Sequence, residues 1–223
     1  YVFKDPEAAT GSALILLDKN GNNCISVAPG ANFRLTPDHV EKAMDDFLQT
    51  ELIILQMEIP FETNAYVFDQ AKKHGKKVLF NLAPARPFDL SVLQLTYAFV
   101  VNEVEAAMVT GLRVETDSEI TVAAGKLLKM GCKIAVITLG ARGSFIASQE
   151  YSQFVPAYKV KAVDTTAAGD VYCGSLAVAL VEGKYLLDAV RFAGAASAIS
   201  VTRLGAQPSA PLRREIEEFM AEN

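Results

Sequence analysis

Histidine is scarce: His39 and His74 are the only two in 223 residues. A histidine metal cluster and a Ser-His-Asp triad are therefore both disfavoured. Cysteine is sparse too. Cys24, Cys132 and Cys173 are odd in number and follow no spacing pattern, so they read as reduced thiols of a cytosolic protein rather than a disulfide framework. The formal net charge is −5, which excludes a general attraction to nucleic acid or to anionic membranes. The apolar stretch 186–204 is interrupted by Asp188, Arg191 and Arg203, so it is no membrane span. There is no signal-peptide pattern, internal repeat, linker or low-complexity segment. Gly-x-x-x-x-Gly-Lys-Ser/Thr and Gly-x-Gly-x-x-Gly are both missing, so a Walker-type phosphate loop and a dinucleotide fingerprint are unsupported.

What is present points to one large domain. Hydrophobic residues make up 51% of the chain, enough for a sizeable core at this length. Apolar runs at Ser12–Asp18 and Asn22–Ala28 flank Lys19-Asn20-Gly21, a hairpin signal closed by Pro29-Gly30-Ala31-Asn32. Thr36-Pro37-Asp38 starts a helix that runs to about Leu48. Strands are expected at Leu52–Met57, Lys77–Leu82, Tyr97–Val101 and Lys133–Leu139, and a short antiparallel pair at Gly143–Ala147 and Gln153–Ala157. Helices are expected at Glu62–His74, from Asn102 onward, and at Ser118–Met130, Ala168–Val181, Asp188–Val201 and Pro211–Met220. This alternation predicts an α/β fold: a doubly wound, mostly parallel sheet with helices on both faces. Ligands then bind beyond the carboxyl ends of the strands, where Glu58, Asn102 and Thr138 fall.

The most informative stretch is 164–170, Asp-Thr-Thr-Ala-Ala-Gly-Asp, which leads into a small-residue helix. The first N–H groups of a helix have no partner within it, and with the helix dipole they form an anion site. A carboxylate at its mouth, Asp170, suits a base that activates a hydroxyl against a phosphoryl group. The same residues also read as a loop with Asp170 as a plain N-cap. Asn102 and Glu105 likewise support two readings. They are a capping box, and they are also a phosphate ligand and a carboxylate for Mg²⁺ one helical turn apart.

Asp164–Asp170 resembles the signature Asp-Thr-x-Gly-Ala-Gly-Asp of the ribokinase-type (PfkB) carbohydrate kinase family, with Ala167 in place of the first Gly. Asn102-Glu103-Val104-Glu105 resembles the family's Asn-x-x-Glu motif. Ile137–Gly143 resembles its nucleotide-binding strand and loop. Asn81-Leu82-Ala83-Pro84-Ala85 and Val201–Ser209 resemble stretches of its ribose-phosphorylating branch, the latter a cation loop.

The resemblance covers the whole chain, 1–223, as one kinase domain, with 11–32 part of a small β lid. It implies ATP-dependent phosphorylation of D-ribose at its primary hydroxyl, with a related sugar or a nucleoside as the alternative substrate. Asp170 would be the base, and the N–H groups of Ala167, Ala168 and Gly169 would hold the developing charge. Asn102, Thr138, Leu139, Gly140, Ala141, Arg142, Gly143, Gly169, Asp170 and Gly194 would line the nucleotide, with Gly194 leaving space for adenine. Arg142 also reads as a surface arginine, and Gly194 as a helix-packing residue. Glu58 would contact the sugar, and otherwise reads as a solvated strand-end carboxylate. Glu105 would hold Mg²⁺ through water. Asp164, Thr166, Ser200, Arg203, Gly205 and Ser209 would surround an activating K⁺, with Asp164 otherwise a loop-capping carboxylate. A homodimer through the lid is implied as well. The chain opens at Tyr1-Val2-Phe3-Lys4, without the glycine-rich sugar-binding segment that begins such kinases. It therefore resembles the C-terminal three-quarters or so of a family member. A non-catalytic fragment with an exposed sheet edge is the corresponding alternative.

Overall fold

The computed structural model describes residues 1–17 and 23–223, and side chains outside 15–25. The expected turn at Lys19-Asn20-Gly21 lies outside the described residues. The strands beside it, β1 (Ser12–Leu17) and β2 (Asn23–Ala28), pair antiparallel as a separate two-stranded sheet. Leu14 and Val27 on this sheet are exposed.

The main sheet has six strands: β3 (Leu52–Leu55), β4 (Lys77–Asn81), β5 (Ala98–Asn102), β6 (Ile134–Thr138), β7 (Ser144–Ala147) and β8 (Ser152–Val155). They lie in the order β3-β4-β5-β6-β7-β8. The first four are parallel, and β7 and β8 turn back antiparallel. The helices are α1 (Pro37–Glu41), α2 (Met44–Gln49), α3 (Phe61–Lys73), α4 (Glu103–Thr110), α5 (Asp117–Met130), α6 (Ala168–Val181), α7 (Leu186–Ser200) and α8 (Arg213–Glu222).

Side chains alternate across a strand, so an all-apolar strand feeds two cores at once. Phe80, Phe99, Val101 and Ile137 join α3, α4 and α5 on one face. Leu79, Val100, Val136 and Ile146 join α6, α7 and α8 on the other. The sheet is thus doubly covered, as the run of β-branched and aromatic residues predicts. One expectation needs correction. The single helix expected from Thr36 to about Leu48 is two, because the chain tightens at Ala43, whose N–H bonds the Val40 carbonyl three residues back at 2.9 Å.

Strand β3 forms an edge of the sheet, with Ile54 exposed on it and Val178 and Val181 exposed on α6. What matters for function is the carboxyl-end row. Asn102 pairs in register with Thr138, Val100 with Asn81, and Leu55 with Phe80. Four neighbouring strands therefore deliver their following loops to one rim, spanning about 14 Å at ~4.8 Å per strand.

Candidate active site

The loop before α6 is shaped by Asp164. Its Oδ1 accepts the Thr166 N–H at 2.9 Å and its Oδ2 accepts the Gly205 N–H at 2.9 Å. Hydrogen bonds from the Thr166 side chain, then from the Gly205 and Thr166 backbone, hold the Asp164 carboxyl below the usual carboxylate range. This is a loop cap that also ties two segments together. The Val201 carbonyl adds N–H bonds from Val163 (2.7 Å) and Asp164 (3.1 Å). Ser200 and Ser209, both fully buried, close the base of the 200–209 loop with Oγ atoms 2.7 Å apart. The six residues of the expected cation site are therefore brought together, although the Arg203 side chain turns away to Glu215.

The turn into α6 passes through Ala167 at φ 60°, ψ 9°, the left-handed region. That conformation explains why the signature favours glycine here. Ala167→Gly should stabilise the fold by no more than ~1 kcal/mol, the left-handed penalty of Ala less the extra unfolded freedom of Gly. Ala167→Val should destabilise it, since a β-branched residue is an outlier at positive φ. Urea unfolding of the two variants measures both; a gain for Val would contradict the strained turn.

Helix α6 begins at Ala168, so Asp170 is its third residue and not its N-cap. Among the described residues its carboxylate has no hydrogen-bond or ion-pair partner. Crowding by protein atoms, and no neighbouring charge, raises its pKa above the ordinary carboxylate value even though the residue is exposed. The N–H groups of Ala167, Gly169 and Asp170 also lack partners among the described residues. That of Ala168 is taken by the Thr165 carbonyl at 3.3 Å, which is a correction to the expected donor set. Ala167 and Gly169 thus keep open N–H groups, and Asp170 supplies the third in place of Ala168.

A cavity of about 500 Å³ opens beside this turn. Thr138, Gly140, Ala141, Gly143, Gly169 and Gly194 all line it, as does Ala168. Gly143 has no alternative: at φ 103° a Cβ would sit 2.1 Å from the Val155 carbonyl oxygen. Gly194 does not serve helix packing. A Cβ there would meet only the Tyr158 ring, at 4.0 Å, across the cavity wall.

Four residues expected at the nucleotide do not line the cavity: Asn102, Leu139, Arg142 and Asp170. The Leu139 side chain is buried in the core. Arg142 pairs with Asp117 and reaches the Glu115 carbonyl at 3.4 Å, so it reads as the surface arginine. Asn102 and Glu105 form the capping box, with N–H···O distances of 2.8 Å both ways. Glu105 is buried, and burial raises its pKa. Its Oε1 has no hydrogen-bond partner among the described residues. One free carboxylate oxygen suits Mg²⁺, which keeps most of its waters. No group of three or more His, Cys, Asp or Glu that could hold a metal occurs among the described residues. Glu58 follows β3, exposed, and is not part of the cavity lining.

Sequence reasoning missed Tyr158, Tyr172 and Ser197 in the cavity wall. The Tyr172 hydroxyl donates to Ser144 Oγ at 3.2 Å, and Ser197 Oγ donates to the Ala168 carbonyl at 3.1 Å. Val190, Gly194, Ser197 and Ala198 share one helical face, a pattern that could have found the α7 wall.

Residues 1–213 match the pfkB family carbohydrate kinase pattern. The chain belongs to the pfkB family of carbohydrate kinases. Its pfkB relatives include a ribokinase of Staphylococcus aureus, 37% identical over 219 residues, which are 98% of this chain and 72% of the relative. A deoxyribokinase of Salmonella typhi is 36% identical over 224 residues, covering 100% of this chain and 73% of the relative. The pfkB fold is matched by the structure of Arabidopsis thaliana ribokinase complexed with ribose and ATP. The TM-score is 0.88 at 31% identity, covering 96% of this chain and 70% of that one. The chain is thus a ribokinase-like sugar kinase, a phosphotransferase acting on a sugar. No described helix is long and apolar enough to cross a membrane.

Proposed function

We propose that this protein transfers the γ-phosphoryl group of ATP to the primary hydroxyl of D-ribose, giving ribose 5-phosphate. The observation that carries the reading is the unpartnered Asp170 carboxylate beside the open N–H groups of Gly169 and Asp170, at the edge of a nucleotide-sized cavity. Phosphoryl transfer needs positioning and charge neutralisation more than covalent chemistry. Asp170 takes the proton of the attacking hydroxyl, and the helix N-terminus holds the phosphoryl charge. Gly140, Gly143 and Gly194 accommodate the nucleotide, Asn102 a phosphate oxygen, and Glu58 the sugar hydroxyls. Glu105 holds Mg²⁺, which neutralises phosphate charge when bound. Asp164, Thr166, Ser200, Arg203, Gly205 and Ser209 would frame a K⁺ ion, mostly through backbone carbonyls, and the ion would stiffen the loop. The protein acts in the cytoplasm as a homodimer joined through the β1–β2 sheet, which exposes Leu14 on one face and Val27 on the other.

2-Deoxyribose is the second reading, favoured by the Salmonella typhi deoxyribokinase at nearly the same identity as the ribokinase relative. The test is ADP formation with D-ribose, 2-deoxy-D-ribose and inosine at matched concentrations. A site that hydrogen-bonds the 2-hydroxyl should prefer ribose by tenfold or more in kcat/KM, on the order of a lost polar contact. Equal or better use of deoxyribose would overturn the ribose assignment, and use of inosine alone would overturn the sugar.

A further inference from the structure

The loop that frames Asp164 is also tied to an acidic side chain on the last helix. Arg203 projects from the 200–209 loop to Glu215 on α8, with Nη2 2.5 Å from Oε1 and Nη1 3.4 Å from Oε2. This is a two-point contact, which fixes the guanidinium plane more firmly than one bond would. Glu215 is itself fixed, because its Oε2 accepts the Leu212 N–H at 2.7 Å as the cap of α8. The Arg203 guanidinium, then the Leu212 N–H, hold its carboxyl below the ordinary range, so it is charged at neutral pH. Two residues after Arg203, the Gly205 N–H donates to Asp164, whose other oxygen accepts from Thr166. Thr166 leads directly into the left-handed Ala167 and the open N–H groups of α6. A continuous chain of contacts therefore runs from α8 to the anion site, with no step through the hydrophobic core.

We propose that Glu215 is a positioning residue for the phosphoryl-transfer site, acting through Arg203, Gly205 and Asp164 to set the loop that carries Ala167–Asp170. The role in transfer rests on the reading of Asp170 given above; the coupling of Glu215 to the loop does not. Gly205 stands at φ 89°, a conformation glycine adopts without a Cβ penalty, so its residue type alone does not fix where its N–H points. The Ser200–Ser209 pair anchors the base of the loop and Glu215 anchors its side.

The test is Glu215→Gln, which keeps an oxygen for the α8 cap and removes the charge that Arg203 pairs with. Amide hydrogen exchange is read residue by residue on the whole chain. The Thr166 and Gly205 amides should exchange about threefold to fivefold faster, the scale of a partly exposed ion pair, while Ile216–Phe219 of α8 stay unchanged. Arg203→Met should shift the same amides by a similar factor, and the double variant should go no further than either single one. With turnover as the second readout, kcat falls by the same factor while KM for ATP and the melting temperature hold. Unchanged exchange at Thr166 and Gly205, or faster exchange confined to α8, overturns the coupling. A loosened loop with kcat intact overturns the role in transfer. Failure of the Asp170 reading would show separately, as turnover surviving Asp170→Asn with the exchange result standing.

Discussion

Asp170→Asn should lower kcat by about 10²–10⁴-fold, the usual contribution of a positioned general base, with little change in KM for ATP. It should do so without weakening the fold. The Asp170 carboxyl has an ordinary value of 3.8 and is raised in the folded chain by desolvation. Between those two values the folded chain holds more protons than the unfolded one, so stability falls as pH rises through that window. Above it the cost of the unpaired charge is fully present. Asn carries no charge, so at neutral pH the variant should melt at the same or a higher temperature than the parent. Its advantage should vanish as pH falls below 3.8. Loss of turnover with retained stability marks a residue kept for chemistry. Thermal melts at both ends of the window, beside steady-state kinetics, measure the pair of effects. A variant that melts clearly lower at neutral pH would mean that Asp170 holds the helix start together.

Gly169→Val separates folding from ligand binding in the same way. Gly169 lies in the first turn of α6, with an ordinary backbone conformation and nothing within 4 Å of where a Cβ would stand. The fold by itself does not require glycine there, and Val is the better helix former. A phosphoryl group seated on the Gly169 and Asp170 N–H groups would meet the new side chain. Stability should therefore hold or rise, while kcat/KM for ATP falls about hundredfold, comparable to loss of one donor from an oxyanion-type hole. A loss of only a few-fold would place the transferred group away from this turn.

The central strands β4, β5 and β6 were legible because each is a short apolar run buried on both faces, as a doubly covered sheet requires, and each is too short for a helix. The capping box of Asn102 and Glu105 and the helix start at Ala168 were legible for a similar reason, since local chemistry alone decides them. Other features depend on tertiary contacts. Tyr158 lines the cavity because the segment after β8 folds across α7, which no local pattern announces. Arg142 turns to Asp117, 25 residues away in the chain. Ala168 loses its free N–H to Thr165 because Ala167 adopts positive φ, a conformation its side chain does not advertise. The signature thus located the site, while the assignment of individual donors needed the backbone.

The most direct measurement is an NMR titration of the amide-labelled protein with a non-hydrolysable ATP analogue and Mg²⁺. Saturable shifts are expected at Ala167–Asp170, at Gly140–Gly143 and around Gly194, with the Gly169 and Asp170 amides moving most. Saturable shifts elsewhere, with 167–170 unmoved, would contradict it.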